Sequence, residues 1–255
     1  MAKETDNLLN IQFLINFFIL MKRIYLFFAF ILCMMNFSYS QNVEQEVAKL
    51  VNQSFTEKKA TILEDYYNQN EKKLTAYWKS YIRYYQAIIA LSLKDEKQEE
   101  KYIEQAIELL KNKNEKSQED WILLALVQNY EIKFASFFTA PAKSMSVSEY
   151  LENAEKTSKN NPRLLLVKGI QDMYTPSAFG GGKKAESYFI ESINLFQKNK
   201  TENKDAISWG YEDTYVNLVR FYLRNKESEK AKLAFFKGLA LFPNNYWFIS
   251  NKDKF

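Results

Sequence analysis

Residues 212–245 read EDTYVNLVRFYLRNKESEKAKLAFFKGLALFPNN, and the fold is decided in this stretch. Tyr215, Leu218, Val219 and Tyr222 recur at spacings of three and four, which places them on one stripe of a helix. Ala231, Phe235, Gly238 and Leu239 repeat that spacing in the following segment. Pro243 then ends it, because proline lacks the N–H that a continuing helix needs.

The same periodicity extends upstream. From Gln41 to Thr139 there is neither Pro nor Gly, a span that is hard to build from strands and turns and easy to build from helices. Val43, Val47, Leu50 and Val51 form one stripe, and Tyr77, Tyr81, Tyr84, Ala87, Ile88 and Leu91 a second. Tyr102, Ile103, Ala106, Leu109 and Leu110 form a third, and Leu123, Val127, Tyr130 and Phe134 a fourth. Ser117 and Asp120 are spaced to cap the helix that follows the polar run from Lys111, and Ser146 with Glu149 spells a capping box before Tyr150. Pro141, Pro162, Pro176 and Pro243 all fall between stripes or after the last one. The expected class is all-α, built of helices about a dozen residues long.

In order and spacing, the segment around 212–245 resembles the tetratricopeptide repeat, whose first helix carries W-x2-L-G-x2-Y and whose second carries A-x3-F and then Pro. Tyr215 stands at the Trp position and Val219 at the Gly position. A stretched copy precedes it. Leu165 and Gly169 follow the Asn161-Pro162-Arg163 break, and Ala185, Phe189 and Ile193 repeat the spacing of Ala231, Phe235 and Leu239. About four surplus residues lie in Thr175 to Gly182. Two earlier pairs, Tyr77–Leu93 with Glu99–Leu110 and Trp121–Phe137 with Val147–Lys159, fit the repeat by length and order alone. Together with Phe179-Gly180-Gly181-Gly182 and Trp209-Gly210, the Asn-Pro-Arg break is similar to bacterial secreted proteins with divergent tetratricopeptide-like repeats. The resemblance implies antiparallel helix pairs stacked as an α-solenoid over residues 41–255.

Composition removes whole classes of chemistry. The 255-residue chain has no His, so Ser-His-Asp and Cys-His catalysis and imidazole metal ligation are excluded. A formal charge of +4, from 35 basic and 31 acidic interspersed residues, offers no stripe for nucleic acid. At the N-terminus, Lys22 and Arg23, the apolar run Ile24–Met35 and the polar Asn36–Ser40 follow the order of a secretory signal peptide. Met21 sits where its initiator belongs, and Ser38 and Ser40 mark a cleavage point before Gln41. The alternative keeps Met1 and makes Leu8–Met35 an uncleaved anchor, with Lys22 and Arg23 costly inside the span. Leu32 before Cys33 departs from the small residue of lipoprotein signals. Removing residues 1–40 leaves 32 basic and 29 acidic residues and no cysteine, which suits an oxidising compartment.

Four sets of residues are candidates for chemistry. Gly180, Gly181 and Gly182 with Lys183 and Lys184 precede a helix, where backbone amides attract anions. The same glycines also suit a tight turn that Cβ atoms would obstruct. The loop is not a Walker A motif, since Ser177 stands at the first glycine position and no Ser or Thr follows the lysine. Tyr77, Trp78, Tyr81, Tyr84 and Tyr85 suit either packing within a stacked array or contact with a ligand, with Trp78 and Tyr85 off the main stripe. On the first helix of the best-matched unit, Asp213, Val216, Asn217, Arg220 and Arg224 point to the concave side. The resemblance implies peptide binding there, Asn217 and Arg220 matching an arrangement that holds a peptide's terminal carboxylate. The acid pairs Glu99-Glu100, Glu119-Asp120 and Glu212-Asp213 read as solvated charges in first turns of helices rather than as a catalytic pair.

The resulting expectation is a secreted or periplasmic, non-enzymatic interaction module, without cofactor or metal, that binds a peptide or partner protein in an open concave groove. The alternative is a glycan- or small-molecule-binding accessory of an envelope uptake system, which calls for an enclosed aromatic pocket.

Overall fold

The computed structural model describes residues 21–25, 43–202 and 209–255. The chain divides into two units, Met1–Glu44 and Gln45–Phe255. In the first, residues 21–25 are helical and exposed. The rest of the leader and the cleavage point at Ser40 lie outside the described residues. No helix among the described residues is long and apolar enough to cross a membrane.

The second unit is entirely helical among its described residues. Helix α1 (45–57) is followed by α2 (Thr61–Asn70). Four antiparallel pairs come next: α3 (Ala76–Ser92) with α4 (Glu96–Lys111), α5 (Gln118–Glu131) with α6 (Ala140–Glu155), α7 (Pro162–Tyr174) with α8 (Ala185–Glu202), and α9 (Tyr211–Arg224) with α10 (Ser228–Leu241). A short α11 (Tyr246–Asn251) closes the array. Each pair packs on the next, and α3, α5, α7 and α9 lie side by side along one face. All four pairs expected from periodicity are present.

The termini of the helices explain their positions. Ser117 and Asp120 form a reciprocal capping box on α5. The side chain of Asn161 accepts from the N–H groups of Arg163 and Leu164, and Asn245 does the same for Trp247 and Phe248. The capping box expected at Ser146 and Glu149 is absent. Helix α6 begins earlier, at Ala140, with Pro141 in its first turn, and the Ser146 hydroxyl donates back to the Ala142 carbonyl from the helix interior.

The turns inside the first and last pairs are copies of one another. Lys94 and Lys226 both take a left-handed conformation, each with φ of 62°. In each turn the next residue's N–H bonds a carbonyl five residues back, Asp95 to Ala90 and Glu227 to Tyr222. This is the Schellman closure. Lys58, after α1, is closed in the same way, with the Lys59 N–H bonding the Ser54 carbonyl.

Close packing within pairs depends on the residues of the repeat signature. A Cβ added at Gly169 would stand 2.5 Å from the ring of Phe189 on the paired helix. At Gly238 it would meet Phe248 of α11 at 2.4 Å. Phe189, Phe235, Phe248 and Tyr215 are fully buried and belong to one core that joins α7 through α11.

Candidate functional site

Inward-facing residues of α3, α5, α7 and α9 line a chamber of about 850 Å³. Helix α1 contributes Ala48, Val51 and Asn52 to its wall, and α11 contributes Tyr246 and Trp247. These two helices are nearly two hundred residues apart and touch directly. The Tyr246 N–H donates to Asn52 Oδ1 at 3.2 Å, and the Phe55 and Tyr246 rings stack with centres 3.4 Å apart. The concave face is therefore walled by α1 and α11 while staying open to solvent at its rim, where Phe137, Tyr174 and Phe179 are exposed.

Of the residues expected on the concave side, Asp213, Val216, Asn217 and Arg220 all line the chamber. Arg224 stands at its margin, its guanidinium 5.5 Å from the ring centre of Tyr174. The Asn217 amide donates to the backbone carbonyl of Asp213. The guanidinium of Arg220 lies over Trp247, 5.6 Å from the ring centre, and makes no ion pair among the described residues. The Asp213 carboxylate accepts from the Tyr85 hydroxyl at 3.2 Å and likewise has no cation within ion-pair distance among the described residues. Burial pushes its carboxyl above the usual range, opposed by the Tyr85 hydrogen bond, the charge of Arg220 and the Gly210 N–H.

That shift makes a test on stability. A carboxyl whose folded pKa is raised is most favourable to the fold below its ordinary value, and the contribution is lost as pH rises through the raised value. Asp213→Asn removes the charge that burial opposes. Its Tm is expected to exceed that of the unaltered protein at pH 7, with the gap closing below about pH 4. A lower Tm at pH 7 would mean that Asp213 is held by interactions the geometry does not display.

The aromatic set divides. Tyr81, Tyr84 and Tyr85 line the chamber, as do Tyr130, Tyr174 and Tyr246 from other helices. Trp78, one of the two residues off the main stripe, takes the packing alternative: it is only 3% exposed and packs edge-on between Tyr77 and Tyr81. Helix α3 has neighbours on more than one side, so a position off its main stripe is still interior. Tyr77 accepts a hydrogen bond from the indole N–H of Trp209 at 2.7 Å. Tyr84 and Tyr85 face the chamber from deep in the protein, and burial raises both phenols well above their usual value. It pushes Tyr246 up to about 12. All three stay protonated donors near neutrality.

The glycine loop carries no vacant anion site at the helix terminus. Asp172 of α7 fills that role, its carboxylate accepting from the N–H groups of Lys184 and Ala185 at 2.8 Å each. The same residue's carbonyl accepts from Gly182. Gly180 and Gly182 have positive φ, and a Cβ on Gly181 would fall 2.1 Å from the Thr175 carbonyl oxygen. The N–H groups of Gly180, Gly181 and Gly182 thus donate to carbonyls of Ser177, Pro176 and Asp172, and the tight-turn reading accounts for the glycines.

The acid pairs also need correction. All lie in or beside first turns, but they are not uniformly solvated. Glu99 is 0% exposed and is held by Lys133 and the Tyr130 hydroxyl, and Asp120 is 1% exposed inside its capping box. Glu119 grips Arg163 through two hydrogen bonds of 2.8 and 2.9 Å, fastening α5 to α7. The Asn245 amide donates to Glu212. These acids tie helices together.

No protein-family model and no curated protein matches the chain. Among solved structures it is similar to TTC0263, a thermophilic TPR protein in Thermus thermophilus, at a TM-score of 0.47 and 15% identity, over 83% of this chain and 97% of that one. It is also similar to YrrB, a TPR protein with an unusual peptide-binding site, at a TM-score of 0.33 and 13% identity, over 86% and 98%. This chain's own four antiparallel helix pairs, each packed on the next and with Gly169 against Phe189, make it an all-α, tetratricopeptide-like solenoid.

Proposed function

We propose that the protein is a non-enzymatic binding module of the bacterial cell envelope that holds a peptide, free or part of a partner protein, in its concave chamber. One observation carries the reading. Three of the first helices, α3, α5 and α9, bring Tyr84, Tyr130, Asn217 and Arg220 to the same chamber, whose volume of about 850 Å³ is within the range that encloses a drug-sized ligand. Aromatic faces and amides of this kind suit extended peptide backbone and apolar side chains. The envelope setting rests on the charged, apolar and small-residue order around residues 22–40 and on the absence of cysteine beyond them. The walls contributed by α1 and α11 also favour a second reading, a glycan or other small molecule stacked on the aromatic faces.

Retention from mixed pools separates the two. The protein is incubated with a random peptide pool of varied length, containing both free and blocked ends, and separately with an oligosaccharide pool. Peptides retained by the unaltered protein and lost by Asn217→Ala with Arg220→Ala, once circular dichroism shows that variant folded, support the first reading. Retention of oligosaccharides alone moves the assignment to the second.

A further inference from the structure

The electrostatics of the chamber narrow the ligand, taking peptide binding as given. Asp213 and Arg220 are seven residues apart on α9, about two turns, so both face the chamber with their backbone positions roughly 10 Å apart. Neither is ion-paired among the described residues, and the other cation at the wall, Lys133, is committed to Glu99. Glu212 at the same wall already accepts from Asn245. Two opposite charges therefore stand separately on one wall.

A neutral ligand filling this space would strip solvent from the exposed guanidinium of Arg220 and leave the Asp213 carboxylate with the Tyr85 hydroxyl and no cation, which is costly for both charges. A ligand with its own separated charges would compensate each end. An extended peptide advances about 3.3–3.6 Å per residue, so the ammonium and carboxylate of a two- or three-residue peptide match the spacing, allowing for the reach of the arginine. The hydroxyls of Tyr84 and Tyr246 and the amide of Asn129 also line the chamber, with no hydrogen-bond partner among the described residues. They are available to the peptide groups. The ring faces of Tyr84, Tyr130 and Tyr246 border the same space.

We infer that the chamber binds a free di- or tripeptide, read at both ends, with its ammonium at Asp213 and its carboxylate at Arg220. The tail of a larger protein supplies only one of those two charges. The size limit follows from the ruler on α9 and not from the volume.

The test begins with an equimolar pool of random tripeptides free at both ends, ultrafiltered with the protein, the retained species being identified by mass spectrometry. One retained tripeptide is then titrated calorimetrically in four forms: free, N-acetylated, C-amidated, and extended to a pentapeptide. Each modification is expected to weaken binding at least tenfold. Asp213→Asn should erase the difference between free and N-acetylated forms, and Arg220→Gln the difference between free and amidated forms, each variant checked by circular dichroism. The inference is overturned if no free tripeptide is retained, or if blocked forms bind as tightly as the free one. Retention of longer, end-blocked peptides alone would leave peptide binding standing and remove only the two-ended recognition. Retention of no peptide in any form would remove both.

Discussion

Phe235→Ala is expected to cost about 3–5 kcal/mol, the range for emptying a fully buried phenylalanine site. Its ring stacks on Phe255 at 4.2 Å and meets Phe236, Trp247 and Phe248 edge-on or tilted at 5.5–6.0 Å. Three of those four partners lie in or after α11, a helix of six residues that is too short to persist without tertiary contacts. Truncation therefore removes both core volume and the clamp on the last helix. Against a typical total of 5–15 kcal/mol, the loss is a large share. Urea unfolding should show a lower midpoint, and peptide retention should fall because Tyr246 and Trp247 belong to α11. A change under about 0.5 kcal/mol, the scale of an ordinary surface substitution, would show that α11 is held from elsewhere.

Gly169 and Phe189 are expected to behave as one unit. Phe189→Ala should again cost about 3–5 kcal/mol. Gly169→Ala gains up to about 1 kcal/mol of helix propensity but drives a methyl to 2.5 Å from a ring that is fully buried and cannot swing away. Overpacking of that kind costs about 1–3 kcal/mol. Combined, the added methyl occupies part of the space the ring vacated. The double variant should thus be less destabilised than the two singles together, with a coupling of about 1–3 kcal/mol. Additive losses in a urea-unfolding cycle would mean that the two positions do not share a cavity.

Much of this architecture was legible in the residues. Stripes at spacings of three and four located all four pairs because residues buried against a neighbouring helix recur at the helical period, as Val147, Leu151 and Ala154 do on α6. Ser117 marked a start because capping is a local matter, settled within three residues, and Pro162, Pro176 and Pro243 marked breaks. Asp213, Asn217 and Arg220 could be assigned to one side of α9 by rotation about the helix axis. What escaped was non-local. Nothing near Ser146 announces that Pro141 starts the helix, since an S-x-x-E pattern reads the same inside a helix as before one. Burial of Glu99 depends on Lys133 and Tyr130, more than thirty residues away. Trp78 lay off the stripe, yet a helix packed on several sides has interior positions beyond its main face. The wall made by α1 and α11 requires Asn52 and Phe55 to meet Tyr246, a pairing that periodicity does not encode.

That meeting has a consequence for how the molecule can change over evolution. An open solenoid is a sum of neighbouring units and can gain or lose one at little cost to the others. Here the last helix is fastened to the first by Tyr246 with Asn52 and Phe55, and the opening pair reaches the final one through Tyr77 with Trp209 and Tyr85 with Asp213. Inserting or deleting a single pair would pull those partners apart. The ring of contacts thus acts as a counting device, permitting drift in the lining of the chamber while holding the number of helix pairs constant.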